Sequence, residues 1–300
     1  MSFCVPQTPK QCPFSSLHAH RVLFCHEKIL SFATFNKIKG MNRPVRMSFC
    51  SQKGGVGKTV FTILFASYLH YKRGMNVAVL DCDYPQHSLL KLRAREVSKL
   101  RSMQTYSNSF KKQMEALKKK PYPVIGSDIN VAISDSINLC SDMPGTYDVI
   151  FFDFPGTINT PGMLSALAEM DYLFIPIEAD RVVLESEIEF AHLMSELYRD
   201  LGKSSKLHLY WNRMQRSVKT LLYTSYEKVI EEVGLSVLSE RIPMAAAFQK
   251  EMEQENDPKM IFRSTLFPFS QAALRGTSVP METFFNEIIT ITELKTKNNE

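Results

Sequence analysis

Gln52-Lys53-Gly54-Gly55-Val56-Gly57-Lys58-Thr59 stands between an apolar run, Val45–Cys50, and a stretch of helical periodicity, Thr59–Lys72. A glycine-rich turn that leaves a strand and opens a helix lets backbone N–H groups converge on phosphate oxygens, and the helix N-terminus adds a favourable dipole. In this pattern Gly54, Gly55, Val56 and Gly57 form the cradle, Lys58 reaches the β/γ-phosphates, and the Thr59 hydroxyl binds Mg²⁺. Six fixed positions in a chain of 300 residues match by chance about once in 10⁵. The implied ligands are therefore ATP and Mg²⁺. The general pattern has glycine at position 52. Here that position is Gln52, and a second lysine, Lys53, stands beside the glycines.

Outward from this loop the chain alternates. Strands are expected at Val45–Cys50, Asn76–Leu80, Val149–Phe152, Tyr172–Ile177, Leu207–Trp211 and Leu235–Leu238. Helices are expected at Thr59–Lys72 (stopping at Gly74), over the long polar stretch Leu89–Lys120, and at Met163–Glu169, Val183–Arg199, Val218–Val233 and Met281–Leu294. Alternation of this kind predicts an α/β fold, a mostly parallel, doubly wound sheet covered on both faces. No linker divides residues 47–300, and one domain over 41–300 is expected.

Carboxylates follow two of the strands. Asp81-Cys82-Asp83-Tyr84-Pro85-Gln86 leaves the second strand, at the end of the sheet where α/β folds bind ligands. Such acids hold Mg²⁺ through water, orient an attacking water, or cap the next helix. The apolar run Val149–Phe152 ends in Asp153, a Walker-B arrangement that places this carboxylate at the Mg²⁺ shell, and Phe154-Pro155-Gly156 follows.

The Lys53/Lys58 pair, with these acids in this order, resembles the deviant-P-loop ATPases of the ParA/MinD family over most of residues 45–290. The resemblance implies a SIMIBI-type P-loop domain and a weak ATPase that acts as a dimerisation switch. It also implies a homodimer with ATP sandwiched between the copies, Lys53 of each reaching the partner's nucleotide, Asp83 positioning water and Asp81 serving on the metal side. Asn212, at the end of a strand, and Pro243, beyond the last one, match the family's base-site positions. The family pattern Asp-x-Asp-Pro-Gln is interrupted here by Tyr84, and Phe154 and Gly156 replace its usual residues after the Walker-B acid. Asp81–Ser88 and Arg263–Pro268 are most similar to the ParA-type TraA proteins of Bacteroides conjugative elements. Partition of DNA or conjugative transfer is the implied role, with a ParB-like or conjugation protein as partner and a bacterial cytoplasmic, nucleoid-associated location. Two other classes stay open: an ATP-dependent metabolic ligase or kinase on the same loop, and a nucleotide-binding adaptor that hardly hydrolyses ATP.

Composition bounds the rest. At 44% hydrophobic and 22% charged residues, the chain is of ordinary globular type. The net charge of +5 is unevenly placed. Residues 1–46 hold seven Lys/Arg against Glu27, so the remainder nets −1. Residues 1–40 read as a disordered basic tail, an over-extended start or a targeting segment. Residues 91–120 carry ten basic and two acidic side chains, and 121–300 carry 15 against 26. The basic segment is a candidate for non-specific contact with DNA phosphates or simply a solvated face. Arg213, Arg216, Lys219 and Arg263 are further DNA candidates. The stripe of Phe284, Phe285, Ile288, Ile289 and Leu294 is accompanied by Glu282, Glu287 and Glu293. That pairing favours core packing, and stable membrane binding is not expected. Six cysteines without a CxxC pair read as reduced thiols.

Overall fold

The computed structural model describes residues 43–142, 145–203, 206–215, 220–245, 248, 261–270 and 280–295. The expected tail at 1–40 lies outside them, as do Arg216 and Lys219.

Runs of apolar residues that can be buried on both faces become the strands of a parallel sheet. Among the described residues seven are present: β1 (Val45–Phe49), β2 (Val77–Asp81), β3 (Val124–Gly126), β4 (Val149–Asp153), β5 (Tyr172–Ile177), β6 (Leu207–Trp211) and β7 (Ser236–Val237). Their order is β3-β2-β4-β1-β5-β6-β7, and every pairing is parallel. β1 lies between β4 and β5, with Met47 opposite both Phe151 and Tyr172. The chain thus departs from β1 to both sides of the sheet, and ligands of such sheets bind where that reversal opens a crevice at the strands' C-terminal ends. The register also sets Asp81 opposite Asp153, bringing two carboxylates from distant sequence side by side.

Helices cover the faces. They are α1 (Lys58–Ser67), α2 (Ser88–Ser102), α3 (Gln104–Leu117), α4 (Ala132–Asp142), α5 (Met163–Ala168), α6 (Arg181–Asp200), α7 (Thr220–Glu232) and α8 (Met281–Ile291). α1 is buried on all sides rather than along one stripe, because Phe61 through Ser67 are all covered. It continues as a wider π-type turn, Tyr68–Lys72, closed by the Arg73 amide on the Tyr68 carbonyl at 3.1 Å. Gly74, in the left-handed region (φ 69°), ends the run where expected.

An aromatic core joins these elements. Phe49 of β1 and Phe61 and Phe65 of α1 meet Phe174, Tyr210, Phe284 and Phe285 at ring-centroid distances of 4.9 to 6.2 Å. The apolar stripe of α8 is thereby committed to packing: Phe284, Phe285 and Ile288 are fully buried. The segment 261–270 is fastened to α1 and α2. Ser67 donates to the Ser264 carbonyl, Tyr71 to that of Thr265, and the Thr265 amide and hydroxyl donate to the buried Glu96 carboxylate.

Two expectations are corrected. The single helix over Leu89–Lys120 is two helices, α2 and α3, broken at Met103, which is extended (φ −122°, ψ 109°). The break lets α3 fold beside α2 and bury Tyr106, which meets Phe267 at 5.1 Å. β3 and α4 were not expected at all. β3 has only three residues, lies at the sheet edge beyond Pro121 and Pro123, and pairs with β2 alone.

Candidate functional site

The glycine loop runs from the end of β1 into α1. Gly55 (φ 76°) and Gly57 (φ 96°) occupy the left-handed region that side chains disfavour, so the turn depends on them. Among the described residues, no hydrogen bond is made by the backbone N–H groups from Gly54 to Thr59. The loop carbonyls, by contrast, are taken. Lys58 Nζ donates to the Lys53 carbonyl at 3.0 Å, Arg213 Nη2 to that of Gly55, and Asn212 Nδ2 to that of Val56 at 2.8 Å. Carbonyls held from behind and amides left free make an anion nest at a helix N-terminus.

A cleft of about 670 Å³ opens over this nest. Its walls are Gly54, Gly55 and Gly57 to Val60, the loop after β2 (Cys82, Asp83, Tyr84, Gln86), Asp128 to Asn130 after β3, and Phe154 to Thr157 with Thr160 after β4. The expected residues Lys58, Thr59 and Asp83 thus converge on one space. Asp153 is not itself a wall residue but stands directly behind one, accepting a 2.8 Å hydrogen bond from the Thr59 hydroxyl on Oδ2. Its Oδ1 is buried and without a partner among the described residues. Burial pushes the Asp153 carboxyl up to about 7, the nearby Asp81 charge adds to this, and the Thr59 hydrogen bond opposes it. A carboxylate and a hydroxyl side by side, with one oxygen unsatisfied, form a hard-oxygen set suited to Mg²⁺. The fit is good. Burial also raises the Asp83 carboxyl, with Asp81 as the second cause, and burial lowers the Lys58 ammonium.

Asp81 has a different place from the one expected. Its Oδ2 accepts the Leu89 and Leu90 amides at 3.0 Å each, and its Oδ1 accepts the Asp83 amide at 3.3 Å. It is fully buried, caps the first turn of α2, and is not among the cleft walls. The inserted Tyr84 lines the cleft while 70% exposed. Asn212 and Pro243 lie at the end of β6 rather than in the cleft wall. A parallel bridge from Met214 to Pro243 brings that turn beside the strand. The Asn212 side chain also accepts the Arg213 amide on Oδ1 at 2.9 Å, so most of its capacity serves the loop. Arg213, expected as a DNA contact, is instead engaged with the Gly55 carbonyl and Glu178.

Three roles at the loop were not expected from the sequence, those of Gly156, Arg213 and Glu187. Gly156 packs on the nest so closely that a Cβ there would lie 2.8 Å from Gly54 Cα and 3.1 Å from Lys58 Nζ. Arg213 carries no sequence signal, being 158 residues from the carbonyl it holds. Glu187 of α6 is fully buried, and its carboxylate accepts the Ser51 hydroxyl at 2.7 Å and the Gln52 amide at 3.4 Å. It did leave a signal: an acid on the apolar stripe of a helix, between Leu184 and Ala191, asks for a buried partner.

A parallel α/β sheet with an anion nest at its switch point and a Walker-B carboxylate beside it defines a P-loop nucleotide-binding domain. Residues 47–258 match the CobQ/CobB/MinD/ParA nucleotide-binding domain, and the chain belongs to that family. It is 25% identical over 174 residues to the chromosome-partitioning ATPase Soj of Thermus thermophilus, a stretch covering 54% of this chain and 66% of that protein. The match thus spans just under two thirds of the relative's length. Among solved structures it is similar to a plasmid partition protein of Borrelia burgdorferi B31 bound to AMPPNP, at TM-score 0.50 and 17% identity, covering 84% of this chain and 98% of the other. It is also similar to apo McdA of Cyanthece, at TM-score 0.51 and 15% identity, covering 82% and 100%. At these identities the structural likeness speaks for the fold alone. Among the described residues no helix is long and apolar enough to cross a membrane.

Proposed function

We propose that this chain is a ParA-type ATPase that works as a switch, two copies closing face to face over ATP and Mg²⁺ in DNA partition or conjugative transfer. The observation that carries this reading is the division between the two lysines. Lys58 lines the cleft and is tied to its own loop, whereas Lys53 does not line it. Among the described residues the Lys53 ammonium makes neither a hydrogen bond nor an ion pair, and the side chain is half-exposed. A half-exposed cation next to the glycine loop, with no hydrogen bond or ion pair among the described residues, suits service in a second copy.

In this reading the nest and Lys58 hold the phosphates, Thr59 and Asp153 hold Mg²⁺, and Asn212 and Pro243 flank the base. Bound Mg²⁺ neutralises charge that develops on the β/γ-phosphates. Asp83, facing the cleft, orients the water whose oxygen attacks the γ-phosphorus as the bond to the bridging oxygen breaks and ADP leaves. Asp81 acts one step removed, fixing the Asp83 backbone. Non-specific DNA is assigned to the exposed cations of α2, α3 and the turn after them. Arg101, Lys111, Lys112, Lys118 and Lys120 are exposed, while Arg93 and Lys119 are spent on the Tyr122, Gly74 and Met75 carbonyls. A ParB-like or conjugation protein would stimulate hydrolysis.

The test is ATP-dependent dimerisation followed by light scattering, beside hydrolysis. Asp83→Ala should accumulate an ATP-bound dimer, Lys53→Ala should bind nucleotide but stay monomeric, and Lys58→Ala should lose nucleotide. Normal dimerisation and turnover by Lys53→Ala would defeat the switch reading. A hydrolysis rate indifferent to DNA and to partner proteins would favour a ligase or an adaptor.

A further inference from the structure

Ser51 and Gln52, which lead into the nest, are fastened to one turn of α6, and Lys53 is tied to that turn through Ser51. The Ser51 hydroxyl donates to Glu187 Oε1 at 2.7 Å and accepts the Lys53 amide at 2.9 Å. The Gln52 amide approaches Glu187 Oε2 at 3.4 Å, and the Gln52 side chain donates to the Ser186 carbonyl at 3.3 Å. Gln52 is the residue by which this loop departs from the general glycine pattern, and its amide is used to reach α6. The Lys53 carbonyl, in turn, receives the Lys58 ammonium. A continuous path therefore runs from a fully buried carboxylate, through one hydroxyl, to the backbone amide of Lys53.

We propose that Glu187 is a positioning residue for Lys53: from α6 it holds the Ser51–Lys53 backbone and so sets where the Lys53 side chain stands for the second copy of the chain. This rests on the proposed role of Lys53 and extends it to a residue that touches neither nucleotide nor metal. The carboxylate suits the task. It faces two N–H/O–H donors converging from adjacent residues, and it is anchored in a long helix, with Leu184, Phe190, Ala191 and Met194 buried around it on the same helix. Burial raises its carboxyl, while the bonds from Ser51 and Gln52 and the charges of Lys58 and Lys53 favour the ionised form. A charge-assisted bond to a serine hydroxyl is directional, so it fixes the hydroxyl's lone pair on the Lys53 amide. Replacement of a buried acid by an apolar residue of similar size is often neutral or stabilising. Stability and positioning can therefore be separated.

The experiment compares Glu187→Leu, Ser51→Ala, their double variant, Glu187→Gln and Lys53→Ala in the full chain. It measures ADP affinity by calorimetry, the ATP-dependent dimer fraction by light scattering, hydrolysis rate and thermal unfolding. Glu187→Leu and Ser51→Ala should each reduce the dimer association constant and turnover about tenfold, with ADP affinity within threefold of the parent and no matching loss of melting temperature. The double variant should be no worse than either single one, because both break the same path. Glu187→Gln, which can still accept the Ser51 hydroxyl, should recover most of the loss. If Ser51→Ala and Glu187→Leu dimerise normally while Lys53→Ala does not, the positioning role is wrong and the switch reading stands. Normal dimerisation by Lys53→Ala removes both. A parallel fall of ADP affinity, dimerisation and melting temperature overturns the proposal in favour of general support of the fold. Ser51→Ala, a near-isosteric change, keeps the test decisive should Glu187→Leu fail to fold.

Discussion

Alanine at position 156 should damage the folded state, whereas alanine at position 54 should damage only nucleotide binding. A Cβ at Gly156 would lie 2.8 Å from Gly54 Cα and 3.0 Å from its amide nitrogen. Carbon atoms in good contact stand at about 3.5–4.0 Å, so the two loops must part by roughly 0.7 Å. The nest cannot easily retreat, because Arg213 and Asn212 hold it from behind. The loop after β4 must move instead, and overpacking of this kind costs about 1–3 kcal/mol. Gly156 is not in the left-handed region, so the whole effect is contact. At Gly54 the built Cβ meets nothing within 4 Å, and the backbone is again compatible with a side chain. Removing a glycine at such a site leaves stability unchanged or raises it by about 0.4–1 kcal/mol. The added methyl, however, occupies the approach to the free amides, and ADP affinity should fall at least about tenfold, or about 1.4 kcal/mol. Urea unfolding with and without Mg²⁺–ADP separates the two effects. A Gly156→Ala variant as stable as the parent, or a destabilised Gly54→Ala that still binds ADP, would refute this account of the loop.

Two further outcomes follow from buried polar groups. His70 is buried with Nε2 on the Lys120 carbonyl at 2.9 Å, and burial pushes its imidazole down to about 4, helped by the charges of Lys119 and Arg93. The unfolded chain takes up this proton near pH 6.5 and the folded chain only near pH 4. Stability contributed by neutral His70 is thus present above pH 6.5 and lost as the pH falls through that window, by about 3 kcal/mol. His70→Gln, which keeps the donor to the carbonyl, should abolish this part of the acid sensitivity. Unfolding curves of variant and parent that stay parallel from pH 7 to 4 would contradict it. Asp153→Asn should remove the extra thermal stabilisation that Mg²⁺ adds to ADP, while leaving the nucleotide-free protein as stable or more so, since a buried acid with one unsatisfied oxygen is replaced by a neutral group that still accepts from Thr59. Undiminished Mg²⁺ dependence in differential scanning would exclude Asp153 as a metal-holding group.

The parts of this protein legible in its sequence are those whose residues are neighbours along the chain. The nest, the order of the buried strands and the acids at strand ends all obey local rules. Gln52 to Thr59 specifies its own turn, and Val149–Phe152 can be nothing but a buried strand. Failures came where a tertiary partner decides. Met103 breaks a polar helical stretch with no glycine or proline to announce it, because Tyr106 finds a buried place against Phe267. β3 is too short for a pattern and exists because β2 offers it an edge. Arg213 looked like a free surface cation and is a clamp on the nest. Asp81 and Asp83, two residues apart, looked like a pair with related duties, yet one turned to cap α2 and the other to the cleft.

By itself, then, the sequence determined that a glycine loop of the nucleotide-binding type joins a buried strand to a helix in a parallel α/β sheet, and it pointed to Lys58, Thr59 and Asp153 as the proposed chemistry. Glycine conformations and apolar periodicity are properties of short segments and survive without the rest of the fold. Only the tertiary structure decided which groups hold that loop. Its carbonyls must be satisfied by donors, and the donors of two of them, Asn212 and Arg213, come from the turn after β6, more than 150 residues away. The division between Lys58, turned inward, and Lys53, whose ammonium has no hydrogen-bond or ion-pair partner among the described residues, comes from the same cause. Hydrogen bonds within a folded loop, rather than spacing along the chain, settle which of two neighbouring lysines is spent.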